Sequence, residues 1–169
     1  MIQIKNAAEL EKMRKACAIS AAALKAGGEA IEPGITTAEI DKIIYDFIVR
    51  HGARPNFLHL YGFPATACIS VNDTVIHGIP SRQQQIRPGD IVSIDTGCKI
   101  DGFNGDNACT YACGKIDLEA QRLLDVTKES LHRGIEMARG GNRAGDIAHA
   151  VQRYVEESGL PVVRHFVCN

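Results

Sequence analysis

Two aspartates on either side of an Asp-Gly dipeptide are the clearest candidates for chemistry in this sequence. Asp95 lies in the segment DIVSIDTGCKI and Asp106 in the segment DGFNGDNACTY, with Asp101-Gly102 between them. An Asp-Gly pair favours a two-residue hairpin turn because both positions tolerate positive φ. The spacing therefore predicts an antiparallel hairpin with one aspartate on each strand.

The predicted register places both carboxylates on one face of the hairpin. Counting outward from the turn gives these pairs: Ile100 with Phe103, Gly97 with Asp106, and Asp95 with Ala108. The aspartates are then diagonal neighbours, with Cα atoms roughly 7–8 Å apart. Two carboxylates this close repel each other unless a cation lies between them, so the pair favours a divalent metal ion. A solvated acidic face of an antiparallel sheet is the alternative.

The segment before this hairpin is predicted to carry two helices and further strands. Asn6 and Thr36 each have a Glu three residues later, which is the spacing of a capping box. Apolar periodicity predicts a first helix from about Ala7 to the Gly27-Gly28 pair or shortly beyond, and a second helix that ends at Gly52. Alternating β-branched residues then predict two hairpin-like units, CISVNDTVIHGIP and DIVSIDTGCKIDGFNGDNACTY.

A second helix pair is predicted from about Asp117, with a break at Gly140-Gly141 and an end at Gly159. A shift of 107 residues aligns its last helix with the second helix of the chain: Ile147 on Ile40, Val151 on Ile44, Tyr154 on Phe47, Val155 on Ile48, and Gly159 on Gly52. This pattern indicates a weak internal duplication, with a first repeat at about 1–113 and a partial second repeat at about 114–169. Coincidence between two amphipathic helices is the alternative.

Three motifs in this order and spacing resemble the type I methionine aminopeptidases along nearly the whole chain: ISVNDTVIHGIP, PGDIVSIDTG and DGFNGD. The resemblance implies an α+β pita-bread fold built from two related helix-and-strand halves. It also implies that residues 1–169 form a single incomplete catalytic domain, in which the first half is complete and the second is truncated after its helix pair.

The resemblance also implies roles for individual residues. The family's site holds two divalent ions (Co, Mn, Fe or Zn) with two Asp residues from the first half and a His and two Glu residues from the second. Asp95 and Asp106 look like the two aspartate ligands, and His77 like the catalytic histidine that hydrogen-bonds the substrate. Phe63 and Cys68 look like residues that line the pocket for the methionine side chain. As alternatives, His77 is an ordinary turn histidine, and Phe63 and Cys68 are ordinary core residues.

Two departures from the family pattern bear on function. His59-Leu60 stands where relatives commonly have Gly-Tyr, which puts the pocket rim in question. Relatives continue from Val-Val-Arg into Gly-His-Gly-Ile-Gly, whereas this chain reads VVRHFVCN, so that Asn169 occupies the position of the His ligand. An amide is a poor substitute for imidazole, and no glutamates follow. We therefore expect weak metal binding and a catalytically deficient chain.

Composition and charge exclude other classes of function. The net charge is -1, without blocks of like charge, so neither nucleic-acid nor membrane-surface binding is predicted. No signal peptide or membrane-spanning segment is predicted, which favours the cytoplasm. The six scattered cysteines are expected to be reduced thiols, and a zinc site at Cys98, Cys109 and Cys113 would lack the usual ligand spacing.

The expected function is removal of the initiator methionine from nascent chains, with N-terminal Met peptides as partners. An uncovered sheet edge is expected to allow self-association. One alternative is a non-catalytic pita-bread interaction module, although the retention of Asp95, Asp106 and His77 argues against it. Another is metal-free hydrolysis of the creatinase kind, which would require catalytic residues in the second half.

Overall fold

Two capped helices precede the sheet. A computed structural model describes residues 3–163 and divides into two units between Ile116 and Asp117. In the first unit, α1 spans Ala7–Glu29 and α2 spans Thr37–Arg50. Both predicted capping boxes are present, with the Asn6 and Thr36 side chains accepting hydrogen bonds from backbone N–H groups at 2.9 and 3.2 Å. The predicted helix boundaries are thereby confirmed to within a few residues.

A four-stranded antiparallel sheet follows, with β1 at Arg54–Pro55, β2 at Ala67–Val71, β3 at Ile91–Ile100 and β4 at Phe103–Ala112. Strand β3 is central because β1, β2 and β4 all pair with it. The predicted hairpin register is confirmed at its three pairs, Ile100 with Phe103, Gly97 with Asp106, and Asp95 with Ala108.

The prediction of the first hairpin-like unit is wrong. The segment CISVNDTVIHGIP supplies only the strand β2, which pairs with β3 rather than with a following strand. Asn72 and His77 have φ of 54° and 56°, and this left-handed conformation interrupts the extended backbone that a second strand would need. A hydrogen bond of 2.8 Å from the Ile69 N–H to the Gly78 carbonyl ties the returning loop to β2.

The core of the first unit lies between the helices and one face of the sheet. Helix α2 contributes Ile40, Ile44 and Ile48, each 0% exposed. They belong to one buried cluster with Ile69 and Ile94 of the sheet. Burying each such side chain contributes roughly 1.5–3 kcal/mol, so this cluster fixes the sheet against the helices and leaves the opposite sheet face for chemistry.

The second unit is a helix pair, α3 at Leu118–Met137 and α4 at Ala144–Glu157, packed against each other. Asp117 caps α3 by accepting the Ala120 N–H at 2.7 Å. Helix α4 begins and ends 107 residues after α2, and both are followed by a glycine with positive φ, Gly52 at 72° and Gly159 at 73°.

Within each helix pair, a glycine of the first helix lies close against the second helix, and the two glycines are equivalent in the duplication. A Cβ atom at Gly27 of α1 would lie 2.7 Å from Ile44 and 3.5 Å from Ile40 of α2. The same atom at Gly134 of α3 would lie 2.8 Å from Val151 and 3.5 Å from Ile147 of α4, each 107 residues further on. Glycine lets each pair of helices approach at the same place, which supports the predicted duplication.

The second unit buries little apolar surface of its own. Three apolar side chains of α3, Leu123, Leu131 and Ile135, are 42%, 58% and 58% exposed, and none of the residues in α4 is buried. No helix within residues 3–163 is both long and apolar enough to cross a membrane.

Candidate metal-binding site

The hairpin of β3 and β4 fixes the two aspartates. Its turn residues Asp101 and Gly102 have φ of 52° and 85°, which is the conformation that an Asp-Gly hairpin turn requires. Because side chains alternate along a strand, Asp95 and Asp106 lie on the same face, the one opposite the buried residues Ile94 and Cys98. The predicted same-face arrangement of the carboxylates is confirmed.

Strand β2 adds a thiol to this face. Cys68 pairs directly with Asp95, and in the next row on the same face Ser70 pairs with Ser93. The Ser93 and Thr110 hydroxyls lie 2.8 Å apart across β3 and β4. The face is therefore polar along three strands, in contrast to the apolar face that packs on the helices.

Burial and nearby carboxylates affect the Cys68 thiol. Burial is the largest cause that raises the pKa of this thiol to about 11, and the negative charges of Asp95, Asp106 and Asp41 raise it further. Cys68 is 6% exposed and stays protonated near neutral pH. It is suited to contact an apolar or thioether group and unsuited to act as a nucleophile.

Two residues that the sequence analysis did not identify lie against this face. A Cβ atom at Gly97, the residue opposite Asp106, would lie 3.2 Å from Nδ2 of Asn56 and 3.3 Å from Cε1 of Phe57. The Asn56 N–H also donates to the Gly97 carbonyl at 2.9 Å. A glycine inside a strand is typical of such close approach, and this signal could have pointed to a covering segment.

The candidate histidine lies on the loop after β2. His77 is exposed, and the next residue, Gly78, donates its N–H to the Ser70 hydroxyl at 3.1 Å. A Cβ atom at Gly78 would lie 2.2 Å from the Ile69 carbonyl oxygen, so only glycine allows the loop to approach β2 this closely. His77 is thereby held next to the strand that carries Cys68, and its role in substrate binding stays a prediction.

Phe63 lies on the loop before β2, after a 3-10 turn at Leu60–Gly62. Its side chain is half-buried, and its carbonyl accepts the His59 N–H at 2.8 Å. His59 has a φ of 68°, in the left-handed region that favours glycine. A histidine in this conformation costs about 1–2 kcal/mol relative to a residue in the right-handed region.

Asp95 and Asp106 together could supply part of a metal-binding site. Two carboxylates on one rigid face are suitable ligands for a hard or borderline divalent ion. Within the part of the chain that the structure describes, no group of three or more His, Cys, Asp or Glu side chains is arranged to hold a metal ion. Asn169, which the sequence analysis assigned to the position of the family's His ligand, lies outside residues 3–163, as does Cys168. The five other cysteines are free thiols.

Comparison with known proteins identifies the family. The model of metallopeptidase family M24 matches residues 11–168. The chain is 49% identical over 167 residues to a methionine aminopeptidase of Clostridium perfringens and 47% identical to one of Clostridium acetobutylicum. Each alignment covers 99% of this chain and 67% of the relative, so the chain spans about two thirds of the length of these relatives.

A solved structure agrees with this result. The crystal structure of methionine aminopeptidase from Rickettsia prowazekii superimposes with a TM-score of 0.95 at 36% identity, covering 98% of this chain and 66% of that one. The predicted α+β pita-bread architecture is confirmed by this similarity. With a family match over residues 11–168 and near 50% identity to a bacterial methionine aminopeptidase, the chain belongs to metallopeptidase family M24.

Proposed function

We propose that the activity of this protein is metal-dependent removal of N-terminal methionine from nascent proteins, and that residues 1–169 by themselves perform it poorly. The single observation that carries the proposal is the placement of Asp95 and Asp106 on one sheet face beside the buried thiol of Cys68. The relatives named methionine aminopeptidase support the reaction and the substrate.

The proposed roles follow from the chemistry of each side chain. Asp95 and Asp106 would hold a divalent ion, Co, Mn, Fe or Zn, whose Lewis acidity polarises a peptide carbonyl. His77 would hydrogen-bond the substrate. Phe63 and Cys68 would contact the methionine side chain, since aromatic and sulfur surfaces suit a thioether.

The chain by itself is expected to be a weak metal binder and a poor catalyst. Among residues 3–163, Asp95 and Asp106 are the two proposed ligands, whereas catalytic metal sites typically use three protein ligands or more. We also propose a cytoplasmic location, where nascent chains emerge, which the five free thiols support. Self-association through β4 is proposed as well, because among residues 3–163 this strand pairs only with β3.

Metal binding tests the proposed site. Titration calorimetry with Mn²⁺ or Co²⁺ should give weak binding to the chain, and Asp95→Asn or Asp106→Asn should lower the affinity by about tenfold or more, since each removes one of two charged ligands. Asp101→Asn is the matched control, because Asp101 lies in the turn of the same hairpin and should leave the affinity unchanged. Affinities that are equal in all four proteins would contradict the metal site.

The same proteins test activity. Hydrolysis of a Met-Ala-Ser peptide with added Mn²⁺ or Co²⁺ is expected to be negligible for the chain alone. Turnover typical of enzymes, on the order of 1 per second or more, would contradict the expected deficiency and support the reaction itself. Loss of that turnover in Asp106→Asn but not in Asp101→Asn would then assign it to the proposed site.

A further inference from the structure

A carboxylate on the helix α2 is bonded to the start of β2. Oδ1 of Asp41 accepts the Thr66 N–H at 2.9 Å and the Ala67 N–H at 2.8 Å. Asp41 follows Ile40 on a helix whose neighbouring inward residues, Ile40 and Ile44, are fully buried and apolar. An acidic side chain at the margin of this core needs a reason beyond packing.

The two bonds take the place of a strand partner. Strand β2 pairs with β3 along one edge, and its other edge has no neighbouring strand among residues 3–163. Along that outer edge, the Ala67 N–H donates to Asp41 and the Ile69 N–H donates to the Gly78 carbonyl. Asp41 therefore satisfies the first N–H groups of a segment whose backbone would otherwise be partly buried and unpaired.

The position of the carboxylate has an energetic cost that its bonds offset. Burial raises the pKa of Asp41 above its ordinary value, while the hydrogen bonds from Ala67 and Thr66 lower it. A partly buried carboxylate is tolerated when backbone N–H groups are directed at it. The segment that it holds runs directly into Cys68 and continues backward to Phe63, the two candidate pocket residues.

We propose that Asp41 is a positioning residue, whose two backbone hydrogen bonds hold the segment from Phe63 to Cys68 against β3 and so give the methionine pocket its shape. This inference rests on the proposed function for the pocket itself. The bonds join α2 to β2 and involve neither β3 nor β4, which carry Asp95 and Asp106.

Cysteine alkylation tests this proposal in the full chain. Wild type, Asp41→Ala and Asp41→Asn are treated with iodoacetamide at about pH 8, where thiols react through their thiolates, and the modification of each cysteine is followed by peptide mass spectrometry. Cys68 reports opening of the segment, and Cys98, which is 0% exposed on the other sheet face, reports global unfolding. In Asp41→Ala, the Cys68 rate relative to the Cys98 rate should rise about tenfold, since two hydrogen bonds to a charged acceptor are lost.

Asp41→Asn separates the hydrogen bonds from the charge. The amide keeps an oxygen that accepts both N–H groups but removes the negative charge that acts on Cys68. Its relative Cys68 rate should stay within about threefold of wild type, because the acceptor geometry is retained. An equal rise in Asp41→Asn and Asp41→Ala would assign the effect to charge and overturn the proposal. So would parallel increases at Cys68 and Cys98, or no increase in Asp41→Ala.

A second measurement applies even if Asp41→Ala does not fold. In two-dimensional NMR spectra, the Thr66 and Ala67 amide resonances of the wild type should shift as Asp41 titrates, and Asp41→Asn should abolish these shifts. If the Thr66 and Ala67 amide resonances do not shift as Asp41 titrates, the proposal is wrong.

Free methionine links the result to the pocket. It should slow Cys68 alkylation in wild type and in Asp41→Asn, and leave it unchanged in Asp41→Ala. If methionine fails to protect wild-type Cys68 while the alkylation ratios behave as expected, the pocket assignment under the proposed function is wrong and the positioning role for substrate falls with it. If methionine protects all three proteins equally, the pocket stands and Asp41 does not shape it.

Discussion

Asp101 forms part of the hairpin turn between β3 and β4 and also bonds to helix α1. Its backbone takes the left-handed conformation at the first turn position, with a φ of 52°. Its carboxylate accepts a hydrogen bond of 2.7 Å from Nζ of Lys15 on α1. That hydrogen bond and the charge of Lys15 hold the pKa of Asp101 below its ordinary value. The side chain that suits the turn thus also joins the hairpin to the first helix.

This lowered pKa predicts a pH-dependent contribution to stability. A carboxyl group whose pKa is lower in the folded state stabilises the fold above its unfolded pKa of about 3.8, and the contribution is lost as the pH falls through the folded pKa. Asp101→Asn should retain the turn, since Asn tolerates positive φ, but should be slightly less stable than wild type near neutral pH. Chemical denaturation at a series of pH values should show this difference vanish at acidic pH.

Lys15→Met is the matched control for this prediction. In Lys15→Met, the hydrogen bond that lowers the pKa of Asp101 is lost. The double variant Lys15→Met/Asp101→Asn should therefore have nearly the same stability as Lys15→Met at any pH. If the difference in unfolding free energy between wild type and Asp101→Asn is independent of pH, the substitution acts through the turn rather than through the ion pair.

At the scale of elements, the hairpin carries two unsatisfied polar atoms beneath α1. Thr96 Oγ1 and Asn107 Nδ2 are buried and have no hydrogen-bond partner among the described residues, and the two residues are directly opposite each other in β3 and β4. The Ser20 hydroxyl of α1 donates to the Thr96 carbonyl at 3.0 Å and not to the Thr96 hydroxyl. This arrangement costs stability because a buried hydroxyl has lost its water without a replacement.

Thr96→Val is therefore expected to raise the free energy of unfolding by about 1 kcal/mol, because it removes an unsatisfied hydroxyl at nearly constant volume. Thr37→Val is the control, since this equally buried hydroxyl donates to the Ser81 carbonyl and accepts the Ser81 N–H at 2.8 Å. That substitution should lower the free energy by about 1–3 kcal/mol. Urea denaturation measures both, and a loss of stability in Thr96→Val would show that its hydroxyl is bonded.

At the scale of the whole molecule, the two units differ in how they are stabilised. The first unit contains the buried cluster around Ile40, Ile44 and Ile94. The second relies on the contact of α3 with α4, where Gly134 and Ser130 are the buried residues of α3. Most of the stability of a helix in a protein comes from packing of its apolar face, so the stability of α3 and α4 depends on the apolar surface that they bury.

Hydrogen exchange should therefore distinguish the two units. Amides of α3 and α4 are expected to exchange at least about tenfold faster than those of β3 and α2, since they open locally at a lower free energy. Mass spectrometry of peptic peptides after timed exchange measures this. Equal protection of Ile40–Ile48 and Ile147–Val155 would show that the second unit is stabilised as strongly as the first.

Local patterns in the sequence determined much of this structure. The capping residues Asn6 and Thr36 located both helix starts, because a cap and its partner lie within four residues of each other. Asp101-Gly102 fixed the register that places Asp95 and Asp106 on one face, because a two-residue turn leaves only one way to count outward. The family motifs then indicated the pita-bread fold and the class of reaction.

Only the tertiary structure decided features that depend on residues distant in the chain. The pairing of β2 with β3 brings Cys68 beside Asp95, and the loop before β2 brings Phe57 over Gly97. The pKa of Cys68, raised to about 11, results from burial and from three aspartates on separate elements. The bonds from Thr66 and Ala67 to Asp41 span 25 and 26 residues. Periodicity and spacing report neighbours within one element, whereas burial and charge at a site are set by the elements that fold against it.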